Sequence, residues 1–178
     1  MRLAARIRAY AAHPDGTAAA CNRIALLVAS SQPTYPLYLW WLVGGAWRAA
    51  CWTFLSTPFF LAVPALARRR PEAGPVLLVA AGVGNTMLSA KALGSASGVE
   101  LFLVPIALIA LLASRGSVRG IVLIGIAAVA TMHSRYGAAW APFSPAQDAR
   151  LLRINAWSAA MLSLIIAWTL RPRATATR

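Results

Sequence analysis

An all-α, polytopic membrane bundle of six transmembrane helices is the fold class this sequence predicts, and three observations predict it. Hydrophobic residues make up 60% of the 178-residue chain and charged residues only 12%, against about 25% charged in a soluble globular domain. The apolar residues fall in blocks of roughly 17 to 25, the length that crosses a bilayer as helix. The basic residues stand at the ends of those blocks, where they meet lipid headgroups and set orientation.

The opening "MRLAARIRAYAAHPDGT" is no cleavable signal, because no apolar core follows Arg2, Arg6 and Arg8 before His13 and Pro14. Wound as a helix, it places Leu3, Ile7 and Tyr10 on one side and Arg2, Arg6 and His13 on another. Residues 1–20 therefore read as a cytoplasmic interfacial segment, with a frayed basic terminus as the alternative. The membrane domain occupies residues 21–172. Its first span covers 22–44 with Pro33 and Pro36, and its second covers 48–67 with Pro58 and Pro64. Proline removes a helix hydrogen bond and kinks the helix. Such kinks survive in hydrocarbon only where neighbouring groups satisfy the freed carbonyls, so both helices are expected inside the bundle. The remaining spans are 75–92, 98–114, 118–135 and 150–170, and residues 173–178 form a disordered basic cytoplasmic tail.

Orientation follows from the positive-inside rule. With the N-terminus inside, twelve of the 17 basic residues are cytoplasmic; Arg48, Lys91, Arg135, Arg150 and Arg153 are outside. Both termini are then cytoplasmic, as expected of a multi-pass protein of the cell inner membrane. Trp40, Trp41, Trp47 and Trp52 gather at the first outer turn, and Tyr136, Trp140 and Phe143 in the longest outer loop. An outer aromatic belt is the plain reading; a lid over a ligand is the sharper one.

A net charge of +13 raises the question of nucleic acid. The arginines are scattered at block ends and form no basic stripe interleaved with aromatics, so the expected partner is the lipid bilayer and no nucleic acid. No HExxH, Walker loop or CxxC is present, and the chain has four acids in all. No enzyme and no cofactor is therefore expected. The two histidines, His13 and His133, fall at opposite membrane surfaces, about 30 Å apart along some 20 helical residues, and cannot clamp one haem. His133 reads as an interhelical hydrogen-bonding residue or a single ligand to a bound molecule. Cys21 and Cys51 also fall at opposite ends, beyond the reach of about 7 Å that a disulfide allows.

The stretch "NTMLSAKALGSASGVELF", residues 85–102, sets an amide, a cation, four small hydroxyl residues and a carboxylate between two apolar blocks. Intramembrane ionisable residues are functional-site candidates by default. Two readings stand: a hairpin stapled by a Lys91–Glu100 ion pair, or an outward-facing pocket lined in part by Asn85 and Glu100. The candidate ligand-binding residues are accordingly Asn85, Lys91, Glu100 and His133.

The same turn carries a resemblance. "LGSASGVELFLVPIALIALLASR" (93–115), with "NRIALLVASSQPTYPLY" (22–38) and "NTMLS" (85–89), resembles the six-helix membrane input domains of bacterial class III adenylate cyclases and related kinases and diguanylate cyclases. The likeness extends over roughly residues 20–172. It implies ligand sensing on the outer side or within the bundle. In that family a soluble output domain follows the sixth span. The sequence runs only to Arg178, so the expectation is an input module without its own catalytic domain, acting through a separate signalling protein or as a homodimer. A small transporter or channel subunit is the alternative; it calls for polar residues through the depth of the membrane.

Reporter fusions at Arg70, Ser95, Gly116 and Trp140 are predicted to read in, out, in, out. A cytoplasmic signal at Ser95 contradicts the topology.

Overall fold

The first apolar stretch does not form one helix. The computed structural model describes residues 2–114, 119, 123, 125–127 and 137–171, and every regular element among them is helical. After α1 (Arg2–Ala11), helix α2 (Gly16–Ser31) starts where Asp15 accepts a hydrogen bond from Ala18 N at 2.7 Å. A carboxylate at this position satisfies one of the free N–H groups of the first turn, so α2 begins earlier than the apolar count from residue 22 suggests. It ends at Gln32, because Pro33 has no N–H to donate to the carbonyl one turn back, although Gln32 itself keeps helical dihedrals. The chain resumes as α3 (Thr34–Tyr38) and a π-helical turn (Leu39–Val43), closed by Gly44 at φ 73°.

A 3-10 segment (Trp47–Ser56) then leads into α4 (Thr57–Arg69), followed by α5 (Ala73–Leu93). Two short 3-10 turns (Ser95–Ser97 and Val99–Phe102) precede α6 (Leu103–Ala113). The last helix, α7 (Pro145–Leu170), opens with a capping box in which Ser144 and Gln147 satisfy each other's backbone N–H. That cap moves its start back from the expected residue 150.

Three helical stretches are long and apolar enough to cross a membrane: Trp47–Arg69, Ala73–Leu93 and Pro145–Leu170. They coincide with the second, third and sixth expected spans. The fourth is the shorter apolar helix Val99–Ala113. The fifth, 118–135, lies almost wholly outside the described residues, as does the tail 173–178.

Close approach at small residues sets the packing. A Cβ on Gly74 would lie 2.8 Å from Ala67 Cβ, so glycine lets the α4–α5 hairpin close tightly. Gly98, at φ 72°, needs its freedom twice over, since an added Cβ would also collide with the Leu152 side chain of α7. The small-residue turn thus seats α7. At the other end of the bundle, Arg68 of α4 donates to Tyr10 O at 2.7 Å, and Tyr10 Oη donates to Leu61 O at 2.7 Å. These bonds hold α1 against α4, with Leu3 and Ile7 left exposed.

The buried apolar residues form two clusters, one around Ile24, Phe60, Leu78, Ile106 and Ile166, the other around Leu39, Ala90, Leu93, Val99 and Leu151. Asn155 of α7 binds partners beside the second. It is fully buried; its Nδ2 donates to Ser97 O at 2.8 Å and its Oδ1 accepts from Tyr35 Oη at 3.1 Å. One amide therefore ties α7 to α3 and to the turn after α5. Asn155→Leu orphans both partners, each at about 1–3 kcal/mol, and should lower the melting temperature in detergent. Adding Tyr35→Phe should recover part of that loss. A double variant no more stable than Asn155→Leu alone would show that the Tyr35 bond contributes nothing.

Candidate ligand-binding cavity

The polar run "SSQPTY" sits where the first apolar stretch breaks. Three hydroxyls beside the break bond back to the preceding turn: Ser30 donates to Leu27 O (2.8 Å), Ser31 to Val28 O (2.8 Å) and Thr34 to Ser31 O (2.6 Å). Gln32 turns inward instead. Its Nε2 donates to Thr53 O (3.0 Å) and to Ser56 Oγ (2.5 Å), and its Oε1 accepts from Thr57 Oγ1 (2.5 Å). The break in one helix is thereby sewn to the start of α4.

Ser56 carries the network on to α5. Its Oγ lies 2.7 Å from both Thr53 O and Asn85 Oδ1, and its single proton can serve only one of them. Thr53 O already receives Gln32 Nε2, so donation to Asn85 leaves every member satisfied. Among the described residues Asn85 makes no other side-chain hydrogen bond, and its amide faces a cavity.

That cavity has a volume of about 300 Å³ and lies between α2 with α3, α5, α6 and α7. Ile24, Val28, Phe60, Ile106 and Ile109 supply apolar wall; Gln32, Asn85, Thr86, Ser89 and Ser158 are among the neutral polar residues, with the phenols of Tyr35 and Tyr38. Among the described residues, no Arg, Lys, His, Asp or Glu lines it. Leu27 (42% exposed) and Tyr38 (49%) on one side, with Met161 (52%) and Ile165 (37%) on the other, form a mouth in the flank of the bundle.

Of the four residues singled out from sequence, the structure brings Asn85 to this cavity. Lys91 and Glu100 do not line it. Lys91 ends α5, where its Nζ donates to Ala138 O at 2.9 Å, while Trp140 N and Ala141 N donate to the carbonyls of Lys91 and Ala92 at 3.0 and 3.1 Å. Those are two of the last carbonyls of α5, which no helical N–H can reach, so the loop after residue 136 serves as the helix cap. Glu100 is half-buried in the 3-10 turn that opens the next helix. His133 lies outside the described residues. Trp52 and Trp140 meet with ring centroids 5.4 Å apart, and Trp40 and Trp41 are exposed at 61% and 77%. None of these tryptophans lines the cavity, which favours the belt over the lid.

The chain matches no protein-family model, no curated protein and no solved structure. Function therefore has to be argued from the site itself.

Sequence reasoning passed over Gln32, Ser56, Thr57 and Asn155. Each was visible as a polar residue within or beside an apolar block, and in a membrane such residues are rarely idle. Cys21, buried in α2, and Cys51, exposed before α4, are both free thiols, as expected.

Proposed function

We propose that the protein is a non-catalytic sensory or regulatory module of the inner membrane, crossing it six times with both termini in the cytoplasm, and that it responds to a ligand held in the cavity. The observation that carries this reading is the cavity's chemistry. It combines a mostly apolar wall with a few convergent polar groups, the usual composition of small-molecule sites. The resemblance of residues 20–172 to cyclase-type input domains supports the sensory role and a separate signalling protein as partner. The orientation draws support from charge: α1, with its three arginines, is bound to the Arg68–Arg70 end of α4, and α7 runs from the opposite end toward Arg171.

The network suggests how occupancy could be transmitted. A molecule bonded to the free end of the Asn85 amide extends the chain of hydrogen bonds that joins α5 to Ser56 and, through it, to Gln32 at the helix break. Binding is thus coupled to the angle between α2 and α3, and a ligand shifts that equilibrium by its differential affinity for the two arrangements.

Affinity purification in mild detergent, with mass spectrometry of co-purifying proteins and small molecules, tests the reading. A retained small molecule and a signalling enzyme are expected, with the small molecule lost in a Gly82→Val variant. At Gly82 an added Cβ would stand 2.9 Å from Ile106 Cγ1, so the side chain intrudes on the cavity wall. Solute flux into protein-containing liposomes, blocked by the same variant, would instead establish the transporter or channel alternative.

A further inference from the structure

We infer that the cavity takes an uncharged, single-chain amphiphile bearing a hydroxyl group, admitted from the hydrocarbon through the mouth between α2–α3 and α7, with its hydroxyl on the Asn85 amide. This rests on the cavity being the ligand site and adds the chemical class of the ligand.

Four observations converge on it. Among the described residues the lining holds no Arg, Lys, His, Asp or Glu, and a buried charge without a partner is strongly disfavoured. An anion or a cation therefore finds no counter-charge there, whereas a neutral molecule needs none. The mouth lies between the apolar side chains Leu27, Met161 and Ile165. In a bilayer that flank faces lipid, and a molecule dissolved in the membrane reaches it without crossing an aqueous phase.

The volume of about 300 Å³ corresponds to about ten water-sized groups, enough for one chain of about ten carbons and too little for a two-chain phospholipid. The fourth observation is Asn85. With Oδ1 on Ser56 its free end presents N–H; with the amide turned over, its free end presents C=O. A hydroxyl both donates and accepts, so it satisfies Asn85 in either orientation, where an ether or an ester oxygen can satisfy only one.

The polar wall also explains why a pure hydrocarbon is the poorer occupant. It would leave the free end of the Asn85 amide without a partner in a site drier than water, and a buried unmade hydrogen bond costs more than a made one gains. Removing Asn85 does not disable Ser56, because Thr53 O stands 2.7 Å from Ser56 Oγ as a substitute acceptor. Asn85→Leu is accordingly a variant that keeps its fold while losing the recognition group.

The test is photolabelling of the full chain in lipid nanodiscs. The probe is a ten-carbon primary alcohol carrying a mid-chain diazirine, and the labelled peptides are mapped by mass spectrometry. Decanol, decanoate and decane then compete against it. The expected result is crosslinking within the segments that carry Leu27, Tyr38 and Met161. Decanol should compete roughly three- to tenfold better than decane, the worth of one net hydrogen bond, and decanoate more weakly still. Asn85→Leu should bring decanol and decane together.

If decane matches decanol in the unsubstituted protein, or decanoate surpasses both, the hydroxyl assignment is overturned while the cavity stands as a binding site. Crosslinks confined to the exposed α7 face of Trp157 and Trp168 overturn both, since they report only the surrounding lipid.

Discussion

The side-chain amide of Gln32 is the contact on which the rest of this structure depends. Pro33 ends α2 and leaves polar backbone where the proposed membrane offers no water, and such groups must find partners within the protein. Gln32 uses both of its amide hydrogens and its oxygen on Thr53, Ser56 and Thr57. An irregular segment at the end of one helix is thus joined to an irregular segment at the start of another.

A second constraint follows from the first. Groups that satisfy one another must stand close, and the helices beyond them then cannot pack as an unbroken apolar core. The buried hydrophobic residues divide into two clusters, and the cavity borders residues of both, including Ile24 and Val99. Asn155 joins Tyr35 to Ser97 on the far side of α3, fixing α7 where it forms one lip of the mouth. The charged residues of the opposite kind of site are kept away: Lys91 is spent on the loop that caps α5. The outcome is a neutral recess within an apolar bundle, and the proposed sensory role uses that recess and the hinge beside it together.

Much of the architecture was legible in composition. Apolar block length located Trp47–Arg69, Ala73–Leu93 and Pro145–Leu170, because a helix of that length and hydropathy has few other fates. Boundaries were less legible. They depend on caps such as Asp15 and the Ser144–Gln147 box, which lie outside the apolar blocks that were counted. Proline foretold a distorted first span but not the partner that makes the distortion tolerable, since Gln32 and Thr53 are neighbours only after folding. The cavity was half legible. Asn85 stood out through its charged and hydroxyl-rich context, yet the same context drew attention to Lys91 and Glu100, which sit beyond the cavity. Polarity within an apolar block marks a residue that needs a partner; sequence does not say whether the partner is a carbonyl, a loop or a ligand.

The central claim is that Gln32 holds the helix break and thereby the mouth of the cavity. A distance distribution between nitroxide labels at Leu27 and Met161 measures this directly. Both positions are exposed lips of the mouth. A Cys51→Ser background removes the exposed native thiol and leaves only buried Cys21. In bilayers the account predicts one narrow distribution for the labelled protein and a broadened or shifted one when Gln32→Leu is added. An unchanged narrow distribution in the Gln32→Leu variant would contradict it.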